Sequence, residues 1–105
     1  MKSPLFEWDD DKARENEEKH FISFEEAIAI FQDEEFDYLR LDGREDGSGE
    51  VRSLAVGRMP RGQIVAVVYT MREGRRRIIS ARCARRTERA AYAEHLRELN
   101  GEPDD

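Results

Sequence analysis

The sequence predicts an α+β domain, with an antiparallel sheet of three to five strands, two helices before it and one after it. Three observations carry that reading. Phe24, Ala27, Ile28 and Phe31 recur at helical spacing ahead of the strands. The middle of the chain holds β-branched runs separated by hairpin-sized turns, which favour antiparallel pairing. The C-terminal part returns to a helical stripe of Tyr92, Leu96 and Leu99, stopped by Gly101 and Pro103.

Each element has a local cause. Phe6-Glu7-Trp8 reads as a short edge strand ending at an acidic helix cap. Asp9, Asp10 and Asp11 suit the positive end of a helix that runs to about residue 19. That helix is very polar, and only Ala13 and the stems of Lys12 and Asn16 are offered to a core. Ser23 and Glu26 form a capping box for a helix over residues 24–32, which stops at Asp33-Glu34-Glu35. A strand over residues 36–41 leads into a polar, glycine-rich loop over 42–49. Residues 51–59 alternate, with Val51, Ser53, Ala55 and Gly57 on one side and Arg52, Leu54, Val56 and Arg58 on the other. Met59-Pro60-Arg61-Gly62 is a turn. The unbroken run Ile64-Val65-Ala66-Val67-Val68-Tyr69 predicts a central strand buried on both faces. Arg72-Glu73-Gly74-Arg75 turns the chain into a last strand over 76–83, and the final helix starts near Arg86 or Thr87. With no repeat or linker to divide it, the chain reads as one domain over residues 1–100, followed by a frayed acidic tail over 101–105.

A chain of 105 residues can bury one core and not two. No apolar run approaches the roughly 18 residues of a membrane span, and Met1-Lys2-Ser3-Pro4 does not read as a secretory signal, so a cytoplasmic location is expected. Cys83 is the single cysteine. It is expected to be a small buried filler, and it allows neither an internal disulfide nor a thiolate zinc cluster. The net charge of −6 is unevenly divided. Residues 1–50 balance to −11, whereas residues 51–105 balance to +5 and take all their basic charge from 12 arginines. Guanidinium groups suit phosphate, so the asymmetry indicates a polyanion-binding face, mutual pairing of the two halves, or both.

The ordered motifs resemble the BrnT toxin family. Phe6-Glu7-Trp8-Asp9, Lys12, Asn16, Lys19-His20 and Ser23-Phe24-Glu25-Glu26-Ala27 are similar to its opening. Gly57, Val67-Val68-Tyr69, Arg77-Ile78-Ile79-Ser80-Ala81-Arg82, Glu88-Arg89 and Tyr92 are similar to the rest, so the likeness covers residues 6–93. The resemblance implies a RelE-like fold and a ribonuclease that stops translation. It also implies a BrnA antitoxin that folds over the toxin and binds operator DNA through a ribbon-helix-helix dimer, with two toxins on one antitoxin dimer. The chain departs from the pattern at Phe21, where relatives usually have glycine, and at Gln63, where arginine often follows the turn glycine. Its acidic pI near 5.0 and its long acidic loop are further departures.

Metal-free RNA cleavage needs a base for the attacking 2′-hydroxyl, cations for the phosphorane and an acid for the leaving oxygen. His20 and His95 lie far apart and lack a zinc-ligand spacing, so no metal or cofactor is expected. Arg77 and Arg82 on the last strand, and Arg58 at the end of another, are candidates to hold the phosphate. Their odd separation sends Arg77 and Arg82 to opposite faces of a regular strand, so both serve one phosphate only if the strand bulges or ends. Lys19 and His20 either complement the negative end of the first helix or transfer the proton. Arg75, Arg76, Arg85, Arg86 and Arg89 extend a candidate RNA-binding face. Trp8 and Tyr69 are candidate base-stacking rings or core aromatics. Glu88 reads as capping electrostatics. The acidic patch Asp33, Glu34, Glu35 and Asp37 and the arginine face of residues 75–89 are candidate antitoxin contacts. The competing class is a binding module without catalysis, which the net charge favours.

Overall fold

The computed structural model describes residues 5–32, 38–45, 47 and 49–101. The elements follow as β1 (Phe6–Glu7), α1 (Asp10–His20), α2 (Phe24–Ala27), α3 (Ala29–Gln32), β2 (Leu39–Glu45), β3 (Val51–Arg58), β4 (Ile64–Arg72), β5 (Arg75–Cys83) and α4 (Arg86–Leu99). The α+β class stands. The five-stranded sheet has the order β1-β5-β4-β3-β2. It is mixed rather than wholly antiparallel: β2 to β5 form an antiparallel meander, but β1 joins β5 in parallel through Phe6↔Arg76 and Glu7↔Arg77.

The local chemistry explains the boundaries. Asp9 caps α1 by accepting from the Asp11 and Lys12 N–H groups, and Ser23 Oγ accepts from Glu26 N–H at the start of α2. The helix expected over residues 24–32 is interrupted at Ile28, where Phe31 N–H bonds to the Ile28 carbonyl. β2 extends through Glu45, into residues expected to be loop. The β4–β5 hairpin turns on Glu73 (φ 51°) and Gly74 (φ 79°), the paired positive φ of a twist-matched two-residue loop. The acidic patch Asp33, Glu34, Glu35 and Asp37 and the tail beyond Gly101 lie outside the described residues.

Helices lie on both sheet faces. On one, α1 to α3 cover a core that includes Trp8, Ile22, Phe24, Ile30, Val65, Val67, Tyr69 and Ile78. The fit is close enough that a Cβ added at Gly57 would stand 2.7 Å from Ile30 Cβ. On the other face, α4 packs Tyr92 and Leu96 against Leu39, Leu54, Val56, Ile64 and Ala66. These two sides are called the α1–α3 face and the α4 face below. β4 is buried on both, as its unbroken apolar run requires.

Candidate functional site

α1 carries one buried polar side chain, and it decides how the helix docks. Asn16 reaches the outer edge of β5 beyond the end of β1. Its Oδ1 accepts from the Ala81 N–H at 3.1 Å, and its Nδ2 donates to the carbonyls of Ala81 (2.9 Å) and Ile22 (3.0 Å). The carboxamide replaces the peptide group of a further strand and satisfies the exposed edge. Helical spacing then places Lys12, Glu15 and Lys19 on the same side of α1 as Asn16. Together with His20 they face Ile79 and Ser80 of β5 across a cleft of about 290 Å³.

β5 is bulged at that point. Ile78 pairs with Tyr69 and Ser80 with Val68, leaving Ile79 as an extra residue. The bulge shifts the alternation. Arg77, Ser80 and Arg82 stand opposite Thr70, Val68 and Ala66, which share the α4 face. The opposite orientations expected for Arg77 and Arg82 in a regular strand are therefore corrected: both side chains are on one face. Their cross-strand partners are four residues apart, about 13 Å along the sheet.

Each of these arginines has its own carboxylate. Arg77 donates to Glu7 Oε2 at 2.9 Å. Arg82 grips both oxygens of Glu88, at 2.7 and 2.9 Å, and Glu88 also accepts from the Arg85 N–H at 2.7 Å. The Arg82 contact is the main cause that holds the Glu88 carboxyl below its ordinary range, and the same pair raises Arg82. This fork ties the end of β5 to the first turn of α4. Asp9 is also lowered, first by the N–H groups of Lys12 and Asp11 that it caps, with Arg77 as a smaller contributor. That influence sets Arg77 near the start of α1.

The other candidates are scattered. Arg58 pairs opposite Ile64, six β4 residues from the Arg77 partner and roughly 20 Å along the sheet. It is exposed, at the end of the molecule where α1 finishes. Arg76 points to the α1–α3 face, stacks 4.5 Å from the Phe31 ring centre and donates to Tyr38 Oη at 2.8 Å. Arg75 is half-buried beside the β4–β5 turn. Arg85 and Arg86 are exposed at the start of α4, and Arg89 donates back to the Ala84 carbonyl. Trp8 (5% exposed) packs edge-on against Phe24, and Tyr69 (3%) against Phe31, so both are core rings with no face available to a base. Cys83 is exposed rather than buried, and its sulfur accepts from Gln63 Nε2.

Sequence reasoning left Asn16, Glu7, Ser80 and Lys12 out of the candidate site. A signal existed for the first: within α1, Ala13 and Asn16 are the uncharged residues other than the terminal histidine, and they lie three apart on one side. None existed for Glu7, whose partner is 70 residues away. Among the described residues, no three His, Cys, Asp or Glu side chains gather as a metal-ligand set, and no helix is long and apolar enough to cross a membrane.

The family model for the ribonuclease toxin BrnT of type II toxin–antitoxin systems matches residues 8–88. The chain belongs to the BrnT family. The matched span contains α1, the cleft, the β5 bulge and the Arg82–Glu88 fork. The crystal structure of the Brucella abortus ribonuclease toxin BrnT superposes with a TM-score of 0.61 at 22% identity, covering 78% of this chain and 99% of that one. At that identity the likeness establishes the shared fold. No curated protein matches the chain. Membership of the BrnT family carries ribonuclease character in general and an antitoxin as partner.

Proposed function

We propose that this BrnT-family chain is a cytoplasmic, metal-independent endoribonuclease whose cutting of RNA inhibits translation, and that a BrnA-like antitoxin neutralises it. The observation that carries the site assignment is the cleft between α1 and the β5 bulge, where Lys12, Lys19 and His20 face Ser80 with Arg77 as its neighbour on the strand. His20 or Lys19 takes the proton of the attacking 2′-hydroxyl. The new P–O2′ bond forms as the P–O5′ bond breaks, and the other of these two groups, in its protonated form, gives its proton to O5′, which releases a 5′-hydroxyl and leaves a cyclic phosphate. Lys12, Lys19 and Arg77 neutralise the phosphorane, in which charge peaks. Arg82, engaged in its fork, braces the site, and Arg58, outside the cleft, meets a more distant phosphate of the RNA strand. In this reading the antitoxin is a ribbon-helix-helix dimer carrying two toxins, which alone contacts operator DNA and which covers the arginine-bearing α4 face.

The test is RNA degradation by the purified chain. Intact protein should cut RNA, and His20→Ala or Lys19→Ala should slow cutting by about 10²–10⁴-fold with the melting temperature unchanged. Expression should arrest growth, and co-expression of the antitoxin should restore it. A folded wild-type protein that leaves RNA intact but binds its antitoxin would establish the binding-module reading instead.

A further inference from the structure

One residue, next in sequence to His20 of the cleft lining, is at odds with its local physics. Phe21 follows His20 and ends α1 in the left-handed region, at φ 59° and ψ 30°, with its N–H bonded to the Glu17 carbonyl at 2.9 Å. That conformation suits glycine and is disfavoured for a side chain with a Cβ. The ring gains nothing from the core in return, because it is 79% exposed, whereas Phe6 and Phe24 are buried. The backbone beneath it is nonetheless fixed. Arg61 donates to the Phe21 carbonyl at 3.3 Å and is itself paired with Glu26, and the next residue, Ile22, is fully buried. A strained, exposed aromatic on an anchored backbone is the pattern of a contact residue.

We propose that Phe21 is a base-stacking platform that positions single-stranded RNA in the cleft, the base next to the scissile phosphate lying on its ring. This inference rests on the ribonuclease reading above and assigns that site a substrate-positioning contact. The ring is one residue from His20, so about 3.8 Å separates their Cα atoms, and a phosphate held by Lys19 and His20 brings its own flanking base within reach. Exposed Lys19, which lines the cleft, supplies a cation for the phosphate beside this ring and favours a polyanion over an apolar protein surface. A phenyl face accepts any base, so the contact sets the strand's position more than its sequence.

The experiment compares wild type, Phe21→Gly and Phe21→Trp against a short 2′-O-methylated oligoribonucleotide, which cannot be cut, and against its cleavable counterpart. Phe21→Gly should bind the uncut probe about tenfold more weakly and raise KM with little change in kcat, while melting roughly 4 °C higher. Phe21→Trp should restore binding, and its indole fluorescence should be quenched by the probe. Lower activity together with higher stability is an outcome that a merely structural residue cannot give. Equal binding by wild type and Phe21→Gly, or no binding by wild type, overturns the proposal. Ring-dependent binding without cleavage of the unmodified RNA keeps the stacking site and overturns the ribonuclease reading.

Discussion

The two faces of the sheet receive the same residue type from β5 and use it in opposite ways. Arg76 points to the α1–α3 face, where Phe31, Tyr38 and Tyr69 surround its guanidinium. Arg77 points to the α4 face, where Glu7 holds it by one nitrogen and α4 packs mainly on β3 and β2, reaching β5 through the Arg82–Glu88 fork. One arginine has become part of a core, and its neighbour is held in an ion pair on the opposite face. Arginine content alone therefore overstates the RNA-binding surface: of the β5 candidates, the side chain's face decides whether a phosphate can reach it.

Exchanging the neighbours gives the largest expected effect. Arg77→Ala should slow RNA cleavage by about 100-fold or more, the scale of one lost electrostatic contact at a developing charge, and should destabilise by about 1–3 kcal/mol because it strands the largely buried Glu7 carboxylate. Arg76→Ala should destabilise by about 2 kcal/mol through the lost ring contacts and the stranded Tyr38 hydroxyl, with cleavage per folded molecule retained. Cleavage rates and denaturant melts on both variants check this, and the reverse pattern would break the comparison.

The close fit of the α1–α3 face is tested next. Gly57→Ala places a methyl group against Ile30 and should cost about 2–3 kcal/mol. If α3 instead shifts without cost, a melt will show no change, and the α1–α3 face is as adaptable as the other.

The smallest effect sharpens the account of the α4 face. Glu88→Gln weakens the fork to Arg82 and should cost about 2 kcal/mol at neutral pH. The Glu88 carboxyl is held below its ordinary value of 4.5 in the folded protein. Its stabilisation is therefore complete above that value and disappears as pH falls through the folded one. Melts of wild type and Glu88→Gln should converge in acid, and a gap that stays constant with pH would assign the fork no net electrostatic role.

The sequence by itself determined the α+β class and most element positions, because those depend on apolar period, caps and turn residues that are local in the chain. Ser23 with Glu26, the β-branched run of β4 and the Glu73-Gly74 turn are each legible without a third dimension. Family membership was legible too, through the order of its motifs. What only the tertiary structure decided depends on register between distant segments. The parallel β1–β5 pairing brings Glu7 to Arg77, 70 positions away. The Ile79 bulge turns Arg77 and Arg82 to one face, and periodicity cannot reveal a bulge because it is the place where the period fails. Asn16 fastens α1 to the edge of β5, which assembles the cleft from a helix and a strand that carry no reference to each other in sequence. Burial removed Trp8 and Tyr69 from the candidate surface and put Phe21 on the surface instead, since an aromatic residue type fits a core and a stacking platform equally well until its neighbours are in place.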